Sequence, residues 1–446
     1  MAHEQAAAQA GDQAAAGLAA AEAASAASAS SASSAQGHPA AAFTVVEDGS
    51  VTTPAGFRAG GLHCGLKKTD RHDLGAILCE VPAAAAAVYT TNKVQAAPLQ
   101  ATRESLAAGG RLRAMLVNSG NANACTGKQG LADAYEMRAA FAAAAGVPLE
   151  QVAVASTGVI GEALKMDRVR SGIAQLPARL KAGAEGADDF CQAILTTDLV
   201  KKSVCVSLQA GGRTVHVAGA AKGSGMIHPN MATMLGFVTT DAPVGSEALH
   251  ALLRRATDRT FNMITVDGDT STNDMLVAMA SGLAGGEELT PAHPDWSAFA
   301  SAVIYVCEVL AKAIARDGEG ATKLIEVRVS GAESDASAAA IAKTIVGSSL
   351  VKSAVFGTDA NWGRIIAAAG RAGEPLDPDT VDIALGPILT LRDSQPVAFD
   401  EDAALAYLKG DTVEIIVDLK LGGGQATAWG CDLTYDYVRI NAAYRT

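Results

Sequence analysis

The pattern of apolar and polar positions divides the chain into a featureless start and a long patterned remainder. Residues 1–42 are mostly alanine, serine and glutamine, with almost none of the large apolar side chains that a core needs. They predict a disordered tail with at most transient helicity between Gln13 and Ala24. From Phe43 onward short apolar runs appear, and residues 43–47, 74–80, 84–90, 113–117 and 152–155 predict strands. Residues 131–145 predict a helix ended by Gly146-Val-Pro148, and 166–195 predict mostly helix, broken near Pro177 and at Gly183 to Gly186. Two strands, 203–208 and 215–218, are joined by Gly211-Gly212 as in a hairpin.

Beyond residue 230 the run Met234-Leu-Gly-Phe-Val238 predicts a buried strand. A helix over 246–258 and a strand over 262–266 follow. Residues 296–316 predict the longest helix, with Phe299, Val303, Val306, Leu310 and Ala313 on one buried face, stopping at Asp317-Gly-Glu-Gly320 with Glu319 in a flexible turn. Strand 324–329, helix 336–346, strand 350–356, helix 362–369 and strands 381–385, 413–419 and 426–430 complete the pattern. The fold class is α/β with sheets covered by helices, ordered too irregularly for a TIM barrel or a simple doubly wound sheet. The ending 435–446, Tyr-Asp-Tyr-Val-Arg-Ile-Asn-Ala-Ala-Tyr-Arg-Thr, is aromatic and polar, which predicts a docked terminus.

Composition narrows the function. A net charge of −12 argues against a nucleic-acid partner, which would want a basic face. No uninterrupted apolar run reaches the ~18 residues of a spanning helix, so no membrane partner is expected. The first 42 residues contain no Lys or Arg and no apolar h-region, which excludes a secretory signal or transit peptide there. The seven cysteines are scattered and never spaced Cys-x-x-Cys, and the eight histidines show no His-Glu-x-x-His, so the expectation is a reduced cytoplasmic protein with no metal and mostly buried thiols. The acidic stretch Asp267-Gly-Asp-Thr-Ser-Thr-Asn-Asp274 partly resembles a calcium loop. It lacks the glycine at the sixth loop position and the terminal Glu.

Candidate chemistry centres on Ala232-Thr233. By itself Thr233 reads as a β-branched strand residue. The chemical reading is that its hydroxyl attacks the Ala232 carbonyl and cleaves the chain. The freed α-amine, with an unperturbed pKa of roughly 7.7–8, would then be the base for its own hydroxyl. Gly223, Gly225 and Pro229 suit a tight bend before the junction. Strand 152–155 empties into the small-residue turn Ser156-Thr-Gly-Val-Ile-Gly161, whose N–H groups can hold an oxyanion. Thr196-Thr-Asp198 clusters hydroxyls with a carboxylate, and Lys222 stands just upstream of the junction.

The segments Tyr89-Thr-Thr-Asn-Lys-Val-Gln-Ala-Ala-Pro98, Asn118-Ser-Gly-Asn-Ala-Asn-Ala-Cys-Thr-Gly127, Ser156-Thr-Gly-Val-Ile-Gly161, Ala221-Lys-Gly-Ser-Gly-Met-Ile-His-Pro-Asn-Met-Ala-Thr-Met-Leu235, Gly318-Glu-Gly-Ala-Thr-Lys323 and Gly357-Thr-Asp-Ala-Asn-Trp-Gly-Arg364 together resemble the ornithine acetyltransferase family of arginine biosynthesis. The resemblance spans roughly residues 43–446. It implies a layered α/β/β/α sandwich of the self-cleaving N-terminal-nucleophile kind, with a smaller C-terminal α/β domain at about 285–420. It implies cleavage into an α chain, 43–232 behind the tail, and a β chain, 233–446, which stay together as a heterotetramer of two of each. The implied reaction moves acetyl from N-acetylornithine to glutamate through acetyl-Thr233, with Thr157 and Gly158 stabilising the oxyanion.

Thr196, Lys222, Thr233, Glu319, Asn441 and Thr446 fall on the family's substrate-binding positions. Lys222 and Glu319 offer opposite charges to an amino-acid substrate, and which end each meets stays open. No bound cofactor is implied. The Ile227-His-Pro-Asn230 form of the junction resembles bacterial members that also use acetyl-CoA as co-substrate. Two other readings use the same residues: an N-terminal-nucleophile amidohydrolase or aminopeptidase with water as acceptor, and an α/β binding protein in which Thr233 only fills a strand.

Overall fold

A computed structural model describes residues 43–228 and 234–443 of the chain. Ala232, Thr233, Thr446 and the whole Ala/Ser-rich start lie outside the described residues, and with them what the sequence predicts there.

The apolar runs of the first two-thirds pair into one nine-stranded sheet: β1 (Phe43–Val45), β2 (Phe57–Leu62), β3 (Leu74–Tyr89), β4 (Arg111–Asn121), β5 (Val152–Val159), β6 (Lys202–Ala210), β7 (Arg213–Lys222), β8 (Leu235–Thr240) and, after the two-residue β9 (Ile264–Thr265) of a second sheet, β10 (Met275–Ala280). Its order is β1-β6-β7-β8-β10-β3-β4-β5, with β2 paired to β3 off this path. The register of β3 against β4 shifts between Leu78 and Ala83. Residues before the shift pair with β2, and residues after it pair with β10. The inward side chains of both halves meet in one core: Ile77, Met115 and Val117 from one, Ala85, Phe237, Val277 and Met279 from the other. A bulge bends a strand and increases its twist, which lets one long strand serve two packed β layers.

Helices close both outer faces. On one side are α1 (Ala97–Ala107), α2 (Gly127–Ala145) and α3 (Met166–Gln175), with Met137, Phe141 and Val169 packed on Leu74, Leu116 and Val154. The helix α4 (Ala184–Ile194) packs on β2. On the other side α5 (Ser246–Arg259) and α6 (Trp296–Arg316) cover the β6, β7, β8 and β10 half. This is the α/β/β/α layering that the motif resemblance implies.

By length and mean hydropathy α6 could cross a membrane. Here it lies between β6 and β7 on one side and the second sheet on the other, so two of its faces are buried, which accounts for its apolar character. That sheet is seven-stranded and ordered β14-β13-β12-β15-β11-β16-β9, from β11 (Leu324–Ala332), β12 (Asp382–Leu385), β13 (Ile388–Arg392), β14 (Gln395–Pro396), β15 (Thr412–Asp418), β16 (Gly424–Cys431) and β9. Its helices are α7 (Asp335–Val346), α8 (Ser349–Phe356), α9 (Trp362–Gly370) and α10 (Glu401–Leu408), and α11 (Tyr435–Ala443) follows it. The described residues form one compact unit.

Five local expectations are corrected. Residues 350–356 are helical: the Ser348 side chain accepts from the Val351 N–H, and Val351, Ala354 and Val355 are buried at helical spacing. A short apolar run does not distinguish a buried strand from a buried helix by itself. The strand expected at 262–266 shrinks to Ile264–Thr265 behind a 3₁₀ turn, Phe261–Met263. Thr157 and Gly158 belong to β5, which runs on to Val159, and β4 continues through Asn118 to Asn121. Glu319 is buried in its turn, and Ala313 is only half-buried. The Gly211-Gly212 hairpin forms as expected, with Ala210 opposite Arg213. Five cysteines are buried, Cys64 is half-buried and Cys125 exposed, and all seven are free.

Candidate active site

The site forms where several strand ends meet. β7 ends at Lys222, directly across the ladder from Leu235, the first residue of β8. β10 runs parallel to β8 from the same level, Met275 opposite Leu235, and the Met275 N–H donates to Met234 O at 3.0 Å. Asn273, just before β10, donates its side-chain amide to Ser156 O at 2.8 Å and to Ala122 O at 2.5 Å. That clasp ties the start of β10 to the end of β5. Ser156 in turn donates to Asn118 Oδ1 at 2.6 Å, and Asn118 donates to Asn121 O at 2.9 Å. The asparagine-rich segment therefore braces the oxyanion candidate through side-chain bonds to backbone, the chemistry for which asparagine suits turns.

A cavity of about 170 Å³ opens at this convergence. Thr157, Gly158, Thr196, Lys222, Glu319 and Asn441 all line it, as do Met234 and Leu235, the two residues that follow Thr233. Six sequence-predicted site residues thus come together; Ala232, Thr233 and Thr446 lie outside the described residues. Gly158 has φ +133°, and a Cβ on it would fall 2.8 Å from Gly120 Cα and 2.5 Å from the Asn121 nitrogen. Only glycine lets β5 close on β4 there.

Lys222 supplies the cation. Its Nζ donates to Thr196 Oγ1 at 2.7 Å and to Thr157 Oγ1 at 3.4 Å, with Asp198 Oδ2 at 3.9 Å. Burial pushes this ammonium below the usual lysine value, while Asp198 pulls the other way. Asp198 is buried, which by itself would raise its pKa, but Lys202 and Lys222 hold the carboxyl well below the usual carboxylate range. Asn441 of α11, which also lines the cavity, donates Nδ2 to Glu319 Oε2 at 2.8 Å, which ties this helix to the site.

The segment before the junction is pinned. Asp267 accepts from the Met226 N–H at 2.6 Å and the Ile227 N–H at 2.8 Å, and Val266 donates to Ile227 O at 2.7 Å. His228 Nδ1 lies 3.0 Å from Thr265 Oγ1, and Thr270 donates to His228 O at 2.8 Å. The acidic stretch 267–274 thus begins with a backbone clamp. Sequence reasoning passed over Asp267, Asn273, Tyr437, Lys202 and Asp317 as site elements. The first three line the cavity, and the last two stand behind it. A signal existed for Asp267 and Asn273, since both lie in a polar run between two apolar ones.

Chemically, the cavity offers the Thr157–Gly158 end of β5, one buried ammonium, Lys222, with the hydroxyls of Thr157 and Thr196 beside it, and the carboxylates of Asp267, Asp269, Asp274 and Glu319. That set fits a small zwitterionic substrate. The family model described as the ArgJ family matches residues 58–446. The "Arginine biosynthesis bifunctional protein ArgJ" of Geobacillus kaustophilus (strain HTA426) is 61% identical over 407 residues, covering 91% of this chain and 98% of that protein. The protein of the same name from Bacillus subtilis (strain 168) is 55% identical over 398 residues, covering 89% and 97%. Among solved structures, the Bacillus halodurans protein of that name is 61% identical with a TM-score of 0.47, covering 48% of this chain and 100% of that one. An ornithine acetyltransferase from Mycobacterium tuberculosis, complexed with ornithine, is 41% identical with a TM-score of 0.40, covering 43% and 100%.

Proposed function

This chain belongs to the ArgJ family, and from that premise we propose that it transfers acetyl from N2-acetyl-L-ornithine to L-glutamate through an ester on Thr233, after self-cleavage between Ala232 and Thr233. It is an enzyme of arginine biosynthesis, a bifunctional acetyltransferase like the relatives that share its sequence. The observation that carries the mechanism is the gathering of Thr157, Gly158, Thr196, Lys222, Glu319 and Asn441 around the residues that adjoin Thr233.

In this reading the Thr233 amine takes the proton from its own hydroxyl, and Oγ attacks the acetyl carbonyl of the donor. The charge that develops on the carbonyl oxygen meets the Thr157 and Gly158 end of β5, where each preorganised donor contributes about 3 kcal/mol. The C–N bond breaks, the departing ornithine amine takes the proton back, and acetyl remains on Thr233. The glutamate amine then attacks the ester by the reverse of these steps. Lys222 meets the substrate carboxylate and Glu319 the side-chain amine of ornithine. The Thr233 methyl restricts χ1 and so holds Oγ in line.

The second activity takes acetyl-CoA as co-substrate onto the same threonine, with no bound cofactor. The proposed chains, 43–232 behind a tail of 42 residues and 233–446 with a smaller domain at about 285–420, assemble as a cytoplasmic heterotetramer of two of each. Mass spectrometry of the denatured protein tests the cleavage: two fragments, the second starting at Thr233, are expected, and Thr233→Ala stays intact and inactive. Incubation with N-acetylornithine and glutamate is expected to yield N-acetylglutamate. Free acetate instead would replace the transferase with an amidohydrolase, and a single uncut wild-type chain would overturn both. Glutamate with acetyl-CoA alone reads the second activity.

A further inference from the structure

Behind the cavity wall Lys202, the first residue of β6, is fully buried. Its ammonium lies 2.8 Å from Asp198 Oδ1 and 2.6 Å from Asp317 Oδ2, and it reaches Val200 O at 3.3 Å. The two carboxylates serve opposite arms of the site. Asp198 accepts from the Thr196 N–H at 3.0 Å and from the Gly223 N–H at 2.6 Å, so it fixes Thr196 and the residue next to Lys222. Asp317 caps α6 two residues before Glu319 and accepts from the Leu199 N–H at 3.1 Å. Its own carbonyl accepts from Ser224 Oγ at 2.7 Å, and the Glu319 N–H donates to Ser224 O at 3.0 Å. A movement of Asp317 therefore carries to Glu319.

We propose that Lys202 is a positioning residue for acetyl transfer: by gripping Asp198 and Asp317 it sets the spacing between the Thr196–Lys222 arm and the Glu319–Asn441 arm, and with it the length of the diamino acid that the site accepts as donor. This rests on the transferase reading above. Desolvating three charges is expensive, and packed apolar side chains would join β6 to α6 without that cost. What a charged link adds is a fixed distance between directional partners. Lys202 and Asp198 precede the proposed cleavage point and Asp317 follows it, so the link also crosses between the two chains. A spacing held this way matters for a substrate recognised at both ends, where one methylene commands roughly 10–200-fold in selectivity.

The test uses purified, processed protein with glutamate as acceptor and three donors: N2-acetylornithine and its homologues one methylene shorter and longer, N2-acetyl-2,4-diaminobutyrate and N2-acetyllysine. Asp317→Asn keeps the shape and loosens one grip. It is expected to raise KM for acetylornithine roughly tenfold with kcat within about twofold, and to cut the preference over both homologues roughly tenfold. Lys202→Met, which leaves two buried carboxylates facing each other, is expected to lose more of that preference, and Lys202→Arg to retain most of it. An unchanged length preference in an active Asp317→Asn or Lys202→Met protein, or an equal fall with all three donors, would overturn the proposal. Failure of all three variants to fold would also overturn it, in favour of a plain structural strut. If the wild-type protein releases acetate, the transferase reading fails, while donor-length preference in that hydrolysis still decides the role of Lys202.

Discussion

Gly225 and Glu319 occupy adjoining space: a methyl group on Gly225 would lie 2.5 Å from Glu319 Oε1, so the carboxylate rests against bare backbone. The carboxylate is the far end of a flexible side chain and can swing aside, at the expense of its bond to Asn441. Gly225→Ala is therefore expected to fold normally and to raise KM for acetylornithine roughly tenfold, about 1.4 kcal/mol of binding. Steady-state kinetics beside a melting curve checks this, and a large drop in melting temperature with unchanged KM would contradict it.

At Gly158 the neighbour is backbone, which cannot swing aside. Gly158→Ala combines an unfavourable φ with a collision against Gly120 and Asn121, a cost of about 2–4 kcal/mol in stability. Activity is expected to fall further, by roughly 10²–10³ in kcat, because the end of β5 that carries the proposed oxyanion donors moves. Urea unfolding and single-turnover acetylation of Thr233 separate the two effects.

The bond from Asn441 to Glu319 makes the last helix part of the site. Asn441→Ala removes a hydrogen bond to a charged acceptor, worth about 1.5–3 kcal/mol when buried. Ornithine affinity, read by calorimetric titration, is expected to drop accordingly. Asn441→Asp, which sets a like charge beside Glu319, is expected to do more harm than Ala.

His228 gives the fold an acid-side sensitivity. Burial, helped by Lys343 and opposed by Asp269, lowers its pKa to about 4, against roughly 6.5 in the unfolded chain. Between these values the unfolded state takes up a proton that the folded state refuses, so stability falls as pH falls. The contribution is fully present above about pH 6.5 and lost on approaching pH 4. The ring is partly exposed, so solvent screening trims the effect to about 1–2 kcal/mol. Unfolding midpoints at pH 7 and 4.5 measure it, and His228→Gln is expected to flatten that difference.

How far the sequence alone reaches depends on how local the deciding interaction is. The 202–222 hairpin, the long helix α6 and the stop at Gly146 were legible because turn glycines and apolar spacing act within a few residues. β2 went unseen because Gly60 and Gly61 dilute its apolar signal, although both face tight neighbours in the fold. The Leu350 segment was misread because a buried helix of two turns looks like a strand. In the site, Thr157, Gly158, Thr196, Lys222, Glu319 and Asn441 were reachable through motifs, whereas Asp267, Asn273 and Tyr437, which also line the cavity, were not. Lys202 was not, since Asp198 lies four residues before it but the second carboxylate it grips, Asp317, sits 115 residues away, and nothing in a linear reading joins the three.

The strand order has a further consequence for the proposed cleavage. β8 and β10 follow Thr233, and they lie side by side in the middle of the sheet with β7 on one flank and β3 on the other. Without them the strands of the first fragment fall into two groups that share no ladder: β1, β6 and β7, and β2, β3, β4 and β5. Neither fragment then holds the nine-stranded sheet by itself, although the seven-stranded sheet lies wholly in the second. The second is the keystone of a sheet most of whose strands the first supplies, so the proposed break at 232–233 would release an end without releasing a piece. Fragments produced from separate messages are expected to be insoluble alone, each exposing unpaired interior strand edges.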